Sequence, residues 1–280
     1  MSDSLPPTFP KEQDASQYGS EATPPAAEGR RWVTIKAPSS TAYVTYTIMG
    51  FTILVYLFQV ASQYILGMDL PALWGIKANH LIVQGQFWRL ITPVFLHSNI
   101  IDSNRMIVPI NILHIAFNMY ALYIFGPALE RFFKHWRFFF LYMLSGFAGN
   151  VVSFILSWNL SLGASTAIFG LLAAEGVFFF QNQKLFAGTA RRALTQVITI
   201  AVINLAIGMS PGIDNWGHVG GLAGGLLFTW LCGPVLKVEG LAPDLTLQDQ
   251  REPRETVLAT VAVGALFALI VAATIYFRTI

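Results

Sequence analysis

Seven apolar stretches, each about twenty residues long, dominate this 280-residue chain. A helix needs about 20 apolar residues to cross the ~30 Å hydrocarbon core of a bilayer, and each stretch has that length. Only 11% of the residues are charged, less than half of the quarter or so that a water-soluble domain uses. The sequence therefore predicts an all-α polytopic membrane protein embedded in a lipid bilayer. The predicted spans are residues 43–65, 107–126, 136–157, 163–181, 193–209, 216–235 and 256–277.

These spans divide the chain into four regions. Residues 1–42 are polar and rich in Pro, Ser, Glu and Ala, which predicts a disordered tail without a cleavable signal peptide. Residues 43–235 contain the first six spans and a long loop at 66–106. Residues 236–255 are predicted to be a linker, and residues 256–280 carry the seventh span.

The basic residues predict how the chain is oriented. Thirteen of the seventeen Lys and Arg residues lie in the tail and in every second connection. Because such residues are retained on the cytoplasmic side, we expect a cytoplasmic N-terminus and linker, an external 66–106 loop and an extracytoplasmic C-terminus. We expect the membrane to be a prokaryotic plasma membrane. In the external loop, Gln86–Arg89 is typical of an amphipathic segment in the interface, with a solvated loop as the alternative.

Several classes of site and function are disfavoured. The single cysteine, Cys232, excludes a disulfide framework and a multi-thiolate metal site. A net charge of +2 without a basic block gives no indication of a nucleic-acid partner. The lack of an internal repeat disfavours a transporter built from duplicated halves. Glu130 and Glu175 are the acidic residues near or within the spans, and we expect both to be structural, bonded to a neighbouring helix or reaching the interface.

Three segments place polar side chains where apolar ones would be less costly to bury. They are His114–Asn118 in the second span, Gly163–Gly170 at the start of the fourth and Asn215–Gly225 at the start of the sixth. Because these three spans all run inward from the outside, their polar groups are predicted to lie in the same leaflet. The spacing of 1.5 Å per residue gives them roughly comparable depths.

Small residues predict that the fourth and sixth spans pack closely. Glycines recur every four residues in the sixth span, which leaves a helix face without side chains. The fourth span offers three small residues in return: Gly163, Ala167 and Gly170. Close packing would bring Ser165 and His218 together, and a neutral imidazole near pH 7 can take the proton of a serine nucleophile.

His114 and Asn118 lie one turn apart on one helical face, and both can donate hydrogen bonds to a developing oxyanion. Each motif also has an ordinary structural explanation. A lone membrane serine usually bonds its own backbone, a lone histidine is structural about half the time, and glycine repeats usually mean packing only. Three such motifs at the outer ends of parallel helices are much harder to attribute to packing alone.

At these residues the chain resembles the rhomboid family of intramembrane serine proteases, and the similarity runs from about Phe87 to Gly225. Trp88–Arg89 and Thr92–His97 resemble the external loop of the family. The His-x-x-x-Asn motif of His114, the Gly-x-Ser motif of Ser165 and the His-x-Gly-Gly motif of His218 follow in the family's order. Glu130 and the stretch Phe140–Asn150 resemble the family's third-span region.

The resemblance implies a rhomboid-like six-helix core, here followed by a C-terminal seventh transmembrane helix. It implies a Ser–His dyad with Ser165 as nucleophile and His218 as general base. The oxyanion hole would consist of His114, Asn118 and the backbone N–H of Ser165. The substrates would be transmembrane segments of membrane proteins, cleaved near the extracytoplasmic face, and neither a metal nor a cofactor is expected.

The chain departs from the family pattern at two places. Thr166 occupies the position after the nucleophile, where the family usually has glycine, and this restricts the backbone there. About twelve extra residues, Ile101–Ile112, precede the His114 motif and are expected to extend the external loop. Asp214 lies four residues before His218, and we expect it to be a helix N-cap rather than a triad carboxylate.

The sequence also bears on other classes of membrane protease and on functions without catalysis. A zinc protease needs His-Glu-x-x-His, and no histidine in the chain is followed by glutamate. An aspartyl protease needs two carboxylates within the membrane, and none of the seven aspartates lies in a predicted span. A catalytically silent relative that binds and escorts transmembrane segments is the main alternative. A channel or transporter is the third.

Overall fold

The structure is a computed structural model that describes residues 35–102, 104 and 106–279. Most of the predicted tail, residues 1–34, lies outside the described residues. The described chain is mainly helical, with a small sheet at one end. The helices are α1 (Tyr43–Leu66), α2 (Leu70–Gly75), α3 (Asn79–Val83), α4 (Ile110–Phe133), α5 (His135–Leu156), α6 (Ser165–Gln181), α7 (Gln183–Ile207), α8 (Asn215–Cys232) and α9 (Pro253–Thr279). The strands are β1 (Ile35–Lys36), β2 (Leu236–Glu239) and β3 (Leu245–Asp249).

Seven long helices occupy the seven predicted spans, which confirms the all-α membrane class. Five of them, α1, α4, α5, α7 and α9, are long and apolar enough to cross a bilayer. The other two are α6, an apolar helix of only 17 residues, and the glycine-rich α8. The largest difference from the sequence is at α7, which begins at Gln183, ten residues before the predicted span, and is kinked at Ala187.

The long loop between α1 and α4 is folded onto the helix bundle. It contains α2, α3 and two 3-10 helices, Phe87–Leu90 and Thr92–Phe95. Phe87 and Trp88 are exposed, whereas Arg89 is only 3% exposed. The Arg89 guanidinium donates to the backbone oxygens of Ile76 and Leu73 at 2.9 and 2.8 Å. The predicted amphipathic segment thus exposes its aromatic side chains and uses its arginine to hold the loop together.

A three-stranded sheet lies at the opposite end of the bundle. β3 pairs in parallel with β1 and antiparallel with β2. The sheet is joined to α5 by an ion pair between Arg137 Nη1 and Asp249 Oδ2 at 2.7 Å. The predicted linker 236–255 is therefore largely ordered, and α9 starts at Pro253. β2 and β3 satisfy each other's backbone groups, which an apolar-span pattern does not reveal.

Glu130 has the structural role that the sequence predicts. Its buried carboxylate accepts hydrogen bonds from the backbone N–H groups of Val44 and Thr45 at 2.9 and 2.8 Å. It also contacts His135 Nδ1 at 2.5 Å. These bonds satisfy N–H groups in the first turn of α1, which have no partner within that helix. For Glu175, the buried Oε2 has no hydrogen-bond partner among the described residues, so this oxygen does not make the bond to a neighbouring helix that was one of the two expected roles.

Helix α8 packs against two helices through two separate rows of glycine. A Cβ on Gly221 or Gly225 would overlap the backbone of α6 at Thr166 or Gly170. A Cβ on Gly220 would lie 2.6 Å from Val152 Cβ of α5. Both approaches require glycine, as the sequence predicts for α6 and α8. Of the three small residues expected to face α8, Gly170 does so; Ala167 packs near Gly146 of α5 and Gly163 against His114.

Candidate active site

Ser165 is the first residue of α6, at the end of the bundle that carries the long loop. Gly163 precedes it with φ +131°, a conformation that L side chains rarely adopt, and glycine is the residue suited to it. The Gly163 N–H donates to Pro93 O at 2.9 Å. The Ala164 N–H donates to His97 Nε2 at 3.4 Å. Two bonds from the long loop thus position the backbone directly before Ser165.

His97 is fully buried in that loop. Burial, with a smaller contribution from the nearby His114, lowers the pKa of His97 to about 3. The imidazole is therefore neutral near pH 7, and its Nε2 can accept the Ala164 N–H. Sequence analysis placed His97 only within a loop resemblance and assigned it no function.

The structure brings Ser165 and His218 into hydrogen-bonding contact. Ser165 Oγ and His218 Nε2 are 2.9 Å apart. His218 lies in the first turn of α8 and is 8% exposed. Each residue lies near the start of its helix. Because glycines of α8 let α6 and α8 approach closely, these two helix starts meet. This distance suits transfer of the serine proton to the imidazole.

Phe169 fixes the plane of the His218 ring. The two rings stack with centroids 4.3 Å apart and planes 10° from parallel. Nδ1 of His218 is buried and has no hydrogen-bond partner among the described residues. The ring is thus oriented by stacking and by Ser165. Sequence analysis missed Phe169, although its position four residues after Ser165 puts both on one helix face.

His114 borders the same space as Ser165. A methyl group on Gly163 would lie 2.9 Å from His114 Nε2 and 3.5 Å from Ser165 Oγ. On its other side, His114 Nδ1 is 3.3 Å from Ser98 Oγ. Asn118 is one turn deeper, 7% exposed, and its amide donates to His114 O at 2.7 Å. His114 therefore reaches the site directly, whereas one amide hydrogen of Asn118 is used within α4.

Comparison with known proteins finds a match to one family model. The model of the rhomboid domain matches residues 103–235, which include all three motifs of the site. The chain carries a rhomboid domain. The protein is accordingly an integral, multi-pass membrane protein with the rhomboid-like helical fold that its sequence predicts.

Two curated proteins are similar to this chain over the region of the rhomboid domain. The chain is 38% identical to the rhomboid protease GluP of Bacillus subtilis over 65% of this chain and 33% of the relative. It is 32% identical to the chloroplastic RHOMBOID-like protein 9 of Arabidopsis thaliana over 61% of this chain and 37% of the relative. The chain thus spans about a third of the length of these two proteins.

Thr166 fits this rhomboid domain without backbone strain. It lies inside α6 and has no positive φ. The backbone at this position therefore does not need the conformational freedom of glycine. Its side chain fills a gap between α5 and α8. A Cβ on Gly149 would lie 2.7 Å from Thr166 Cβ, and one on Gly217 would lie 3.0 Å from Thr166 Cγ2. Glycines on the neighbouring helices make room for the larger side chain.

The described residues of the 101–112 extension precede His114 and include the first residues of α4. Ile101 and Ile107 form an isolated antiparallel bridge. The Asn111 amide donates to Asn99 O at 2.7 Å, which links the first turn of α4 to the residues just before the extension. α4 begins at Ile110, so His114 already lies within the helix. The described extra residues before Ile110 lengthen the loop as expected, whereas Ile110–Ile112 form the start of α4.

Asp214 is the N-cap of α8. Its Oδ1 accepts the Gly217 N–H at 3.1 Å. Its other oxygen accepts a hydrogen bond from Ser153 Oγ. Neither oxygen bonds His218 Nδ1, so Asp214 does not form a Ser–His–Asp arrangement here.

Proposed function

We propose that this protein is an intramembrane serine endopeptidase that cleaves transmembrane segments of other membrane proteins. The observation that carries the proposal is the 2.9 Å contact between Ser165 Oγ and His218 Nε2. Ser165 is the proposed nucleophile and His218 the proposed general base. The rhomboid domain and a relative named as a protease support the same reaction class.

The proposed reaction starts with transfer of the Ser165 proton to His218 Nε2. The serine oxygen attacks the carbonyl carbon of the substrate and forms a tetrahedral intermediate. His218 then protonates the leaving amine as the peptide bond breaks. Water, activated by the same imidazole, hydrolyses the acyl-enzyme and restores the free serine. Phe169 keeps the ring plane fixed through these steps.

Three groups are proposed to stabilise the oxyanion. The Ser165 N–H stands at the start of α6, where backbone N–H groups have no intrahelical acceptor and the helix dipole favours negative charge. His114 Nε2 can donate if Ser98 Oγ–H donates to His114 Nδ1, an arrangement that their 3.3 Å separation permits. Asn118 can contribute its second amide hydrogen, or turn away from His114 O when substrate binds.

The proposed substrates are single helices that can unwind at one end. Small, helix-weakening residues near the membrane interface would let a peptide bond leave the helix and approach Ser165. The distribution of basic residues supports a cytoplasmic N-terminus and an extracytoplasmic site and C-terminus. A prokaryotic plasma membrane stays a prediction. The proposed mechanism assigns no step to a metal or cofactor.

A catalytically silent relative that binds and escorts transmembrane segments is the alternative function. It would use the same helix packing. However, it has no need for an activated hydroxyl, a stacked imidazole and a second histidine around one space. The arrangement of Ser165, His218 and His114 therefore favours the enzyme.

A fluorophosphonate probe tests the proposed function without knowledge of the natural substrate. The purified protein in liposomes should be labelled at Ser165 and should cleave a single-span model substrate with small residues near one interface. Ser165→Ala should abolish both reactions, and His218→Ala should abolish cleavage while the helical circular dichroism is retained. Substrate binding without labelling or cleavage would identify the escort function instead.

A further inference from the structure

Lys77 is a fully buried lysine in the loop between α2 and α3. All three donors of its ammonium group have an acceptor. Nζ lies 2.9 Å from Ser153 Oγ, 3.4 Å from Ser153 O and 3.0 Å from Ser157 O. A buried ammonium is costly unless it is fully bonded, so this set of acceptors accounts for its burial.

The bond from Lys77 to Ser153 fixes the direction of a second bond. An ammonium can only donate, so the Ser153 hydroxyl must accept from Lys77 and use its own hydrogen elsewhere. That hydrogen is donated to Asp214 Oδ2, and an ionised carboxylate can only accept. Asp214 in turn caps α8 through the Gly217 N–H. A directed relay, Lys77–Ser153–Asp214, therefore ends one turn before His218.

The backbone of Lys77 bonds the segment that precedes Ser165. Its N–H donates to Ser161 O at 3.0 Å, and its carbonyl accepts the Ser161 N–H at 3.3 Å. Ser161 lies in the segment 157–164, which leads directly to Ser165. Lys77 thus contacts both the segment before Ser165 and the relay that ends at Asp214, the N-cap of α8.

Two charged groups face Lys77 from the elements packed around it. Burial has the largest effect on the pKa of Lys77 and lowers it. Asp214 at the start of α8 raises this pKa and Arg278 near the end of α9 lowers it, with a net value of about 8. Arg278 is held there by a 3.0 Å bond to Ile155 O and by its position 4.4 Å from the centroid of Trp158.

We propose that Lys77 is a positioning residue for the Ser165–His218 pair. The proposal rests on the proposed function, since it concerns the same two reacting side chains. Protonated Lys77 orders the Ser153 hydroxyl, and through it the Asp214 cap from which α8 starts. When Lys77 loses its proton, one of its three hydrogen bonds is lost and Asp214 loses a compensating charge. The start of α8 then moves relative to Ser165, and the rate of proton transfer falls.

The first experiment compares two lysine variants of the full chain in liposomes. Lys77→Met keeps the length of the side chain and removes the charge. It should lower kcat by about tenfold or more with little change in KM, since misplacement of reacting groups by about 1 Å can cost a hundredfold. Lys36→Met is the matched control, because Lys36 of β1 forms an exposed ion pair with Asp244. It should leave kcat unchanged.

The second experiment measures kcat against pH and does not depend on whether Lys77→Met folds. The parent should show an alkaline loss of activity centred near pH 8. Asp214→Asn should move this loss to lower pH, because it removes the negative charge that favours protonated Lys77. Arg278→Gln should move it to higher pH. A purely structural role for Lys77 predicts no such pair of opposite shifts.

Thermal stability separates loss of positioning from unfolding. The pKa of Lys77 is about 8 in the folded protein against an ordinary 10.5. Between these values the unfolded chain binds more protons, so the contribution of Lys77 to the free energy of unfolding rises with pH. Activity should therefore fall over a range where this residue does not reduce stability. An unchanged alkaline limb in Lys77→Met, or parental kcat in that variant at pH 7, would overturn the proposal. Cleavage that survives Ser165→Ala would instead overturn the proposed function itself.

Discussion

Phe169 and His218 stack face to face, and this contact orients the imidazole in a site where its Nδ1 has no partner among the described residues. In a triad, a carboxylate on Nδ1 holds the ring and fixes its tautomer. Here an aromatic side chain from the serine helix holds the ring plane. The proposed nucleophile and the group that orients its base thus lie one turn apart on α6.

Phe169→Leu should lower kcat by about tenfold, because the imidazole gains rotational freedom while the pocket stays apolar. KM should change little, since Phe169 is proposed to act on the ring and not on the substrate. Cleavage kinetics with a single-span substrate give both constants. Phe180→Leu at the far end of α6 is the control and should behave like the parent. Parental kcat in Phe169→Leu would show that Ser165 alone positions the ring.

Asn118→Ala should reduce cleavage less than Ser165→Ala does. One oxyanion donor is worth about 3 kcal/mol or less where other donors remain. Asn118 already bonds His114 O, so part of its amide is engaged before substrate binds. The measurement is kcat/KM of the variant in liposomes. A loss as complete as that of Ser165→Ala would mean that Asn118 supports the fold of the site, which circular dichroism would test.

Gly221→Ala should destabilise the protein and reduce labelling by a fluorophosphonate. The added methyl would overlap the Thr166 carbonyl, so α6 and α8 would have to separate. That separation would increase the 2.9 Å distance between Ser165 and His218. Gly50→Ala in α1 is a matched control, because nothing lies within 4 Å of the added atom. Equal melting temperatures for the two variants would contradict the close approach of the helices.

Acid should destabilise the parent through His97. Its pKa is about 3 in the folded protein and near 6.5 when unperturbed. Between these values the unfolded chain binds more protons, so the stability contributed by neutral His97 is lost as pH falls from about 6.5 towards 3. His97→Gln should reduce this acid dependence while offering an oxygen acceptor to Ala164 N–H. Melting temperatures at pH 7 and pH 4 compare the two proteins. An acid dependence that is the same in both would exclude His97 as its cause.

The sequence by itself determined the membrane class, the places of the seven long helices and the residues expected at the site. These follow from composition, span length and local spacing, which depend on neighbours along the chain. The glycine rows of α8 also predicted its close approach to α6. A helix face without side chains permits close packing by a neighbouring helix, whatever the position of that helix in the sequence.

Only the tertiary structure decided what surrounds Ser165 and His218. Lys77 lies at a loop position that carries no motif. His97 and Phe169 lie in segments that the sequence singles out, but their contacts with Ala164 and His218 depend on the fold. The small sheet was missed for a similar reason, since β1 pairs with a strand about two hundred residues later. Residues so distant in the chain become partners only when the chain packs in three dimensions. An unpaired buried polar group costs free energy, so the packing that pairs such groups is favoured.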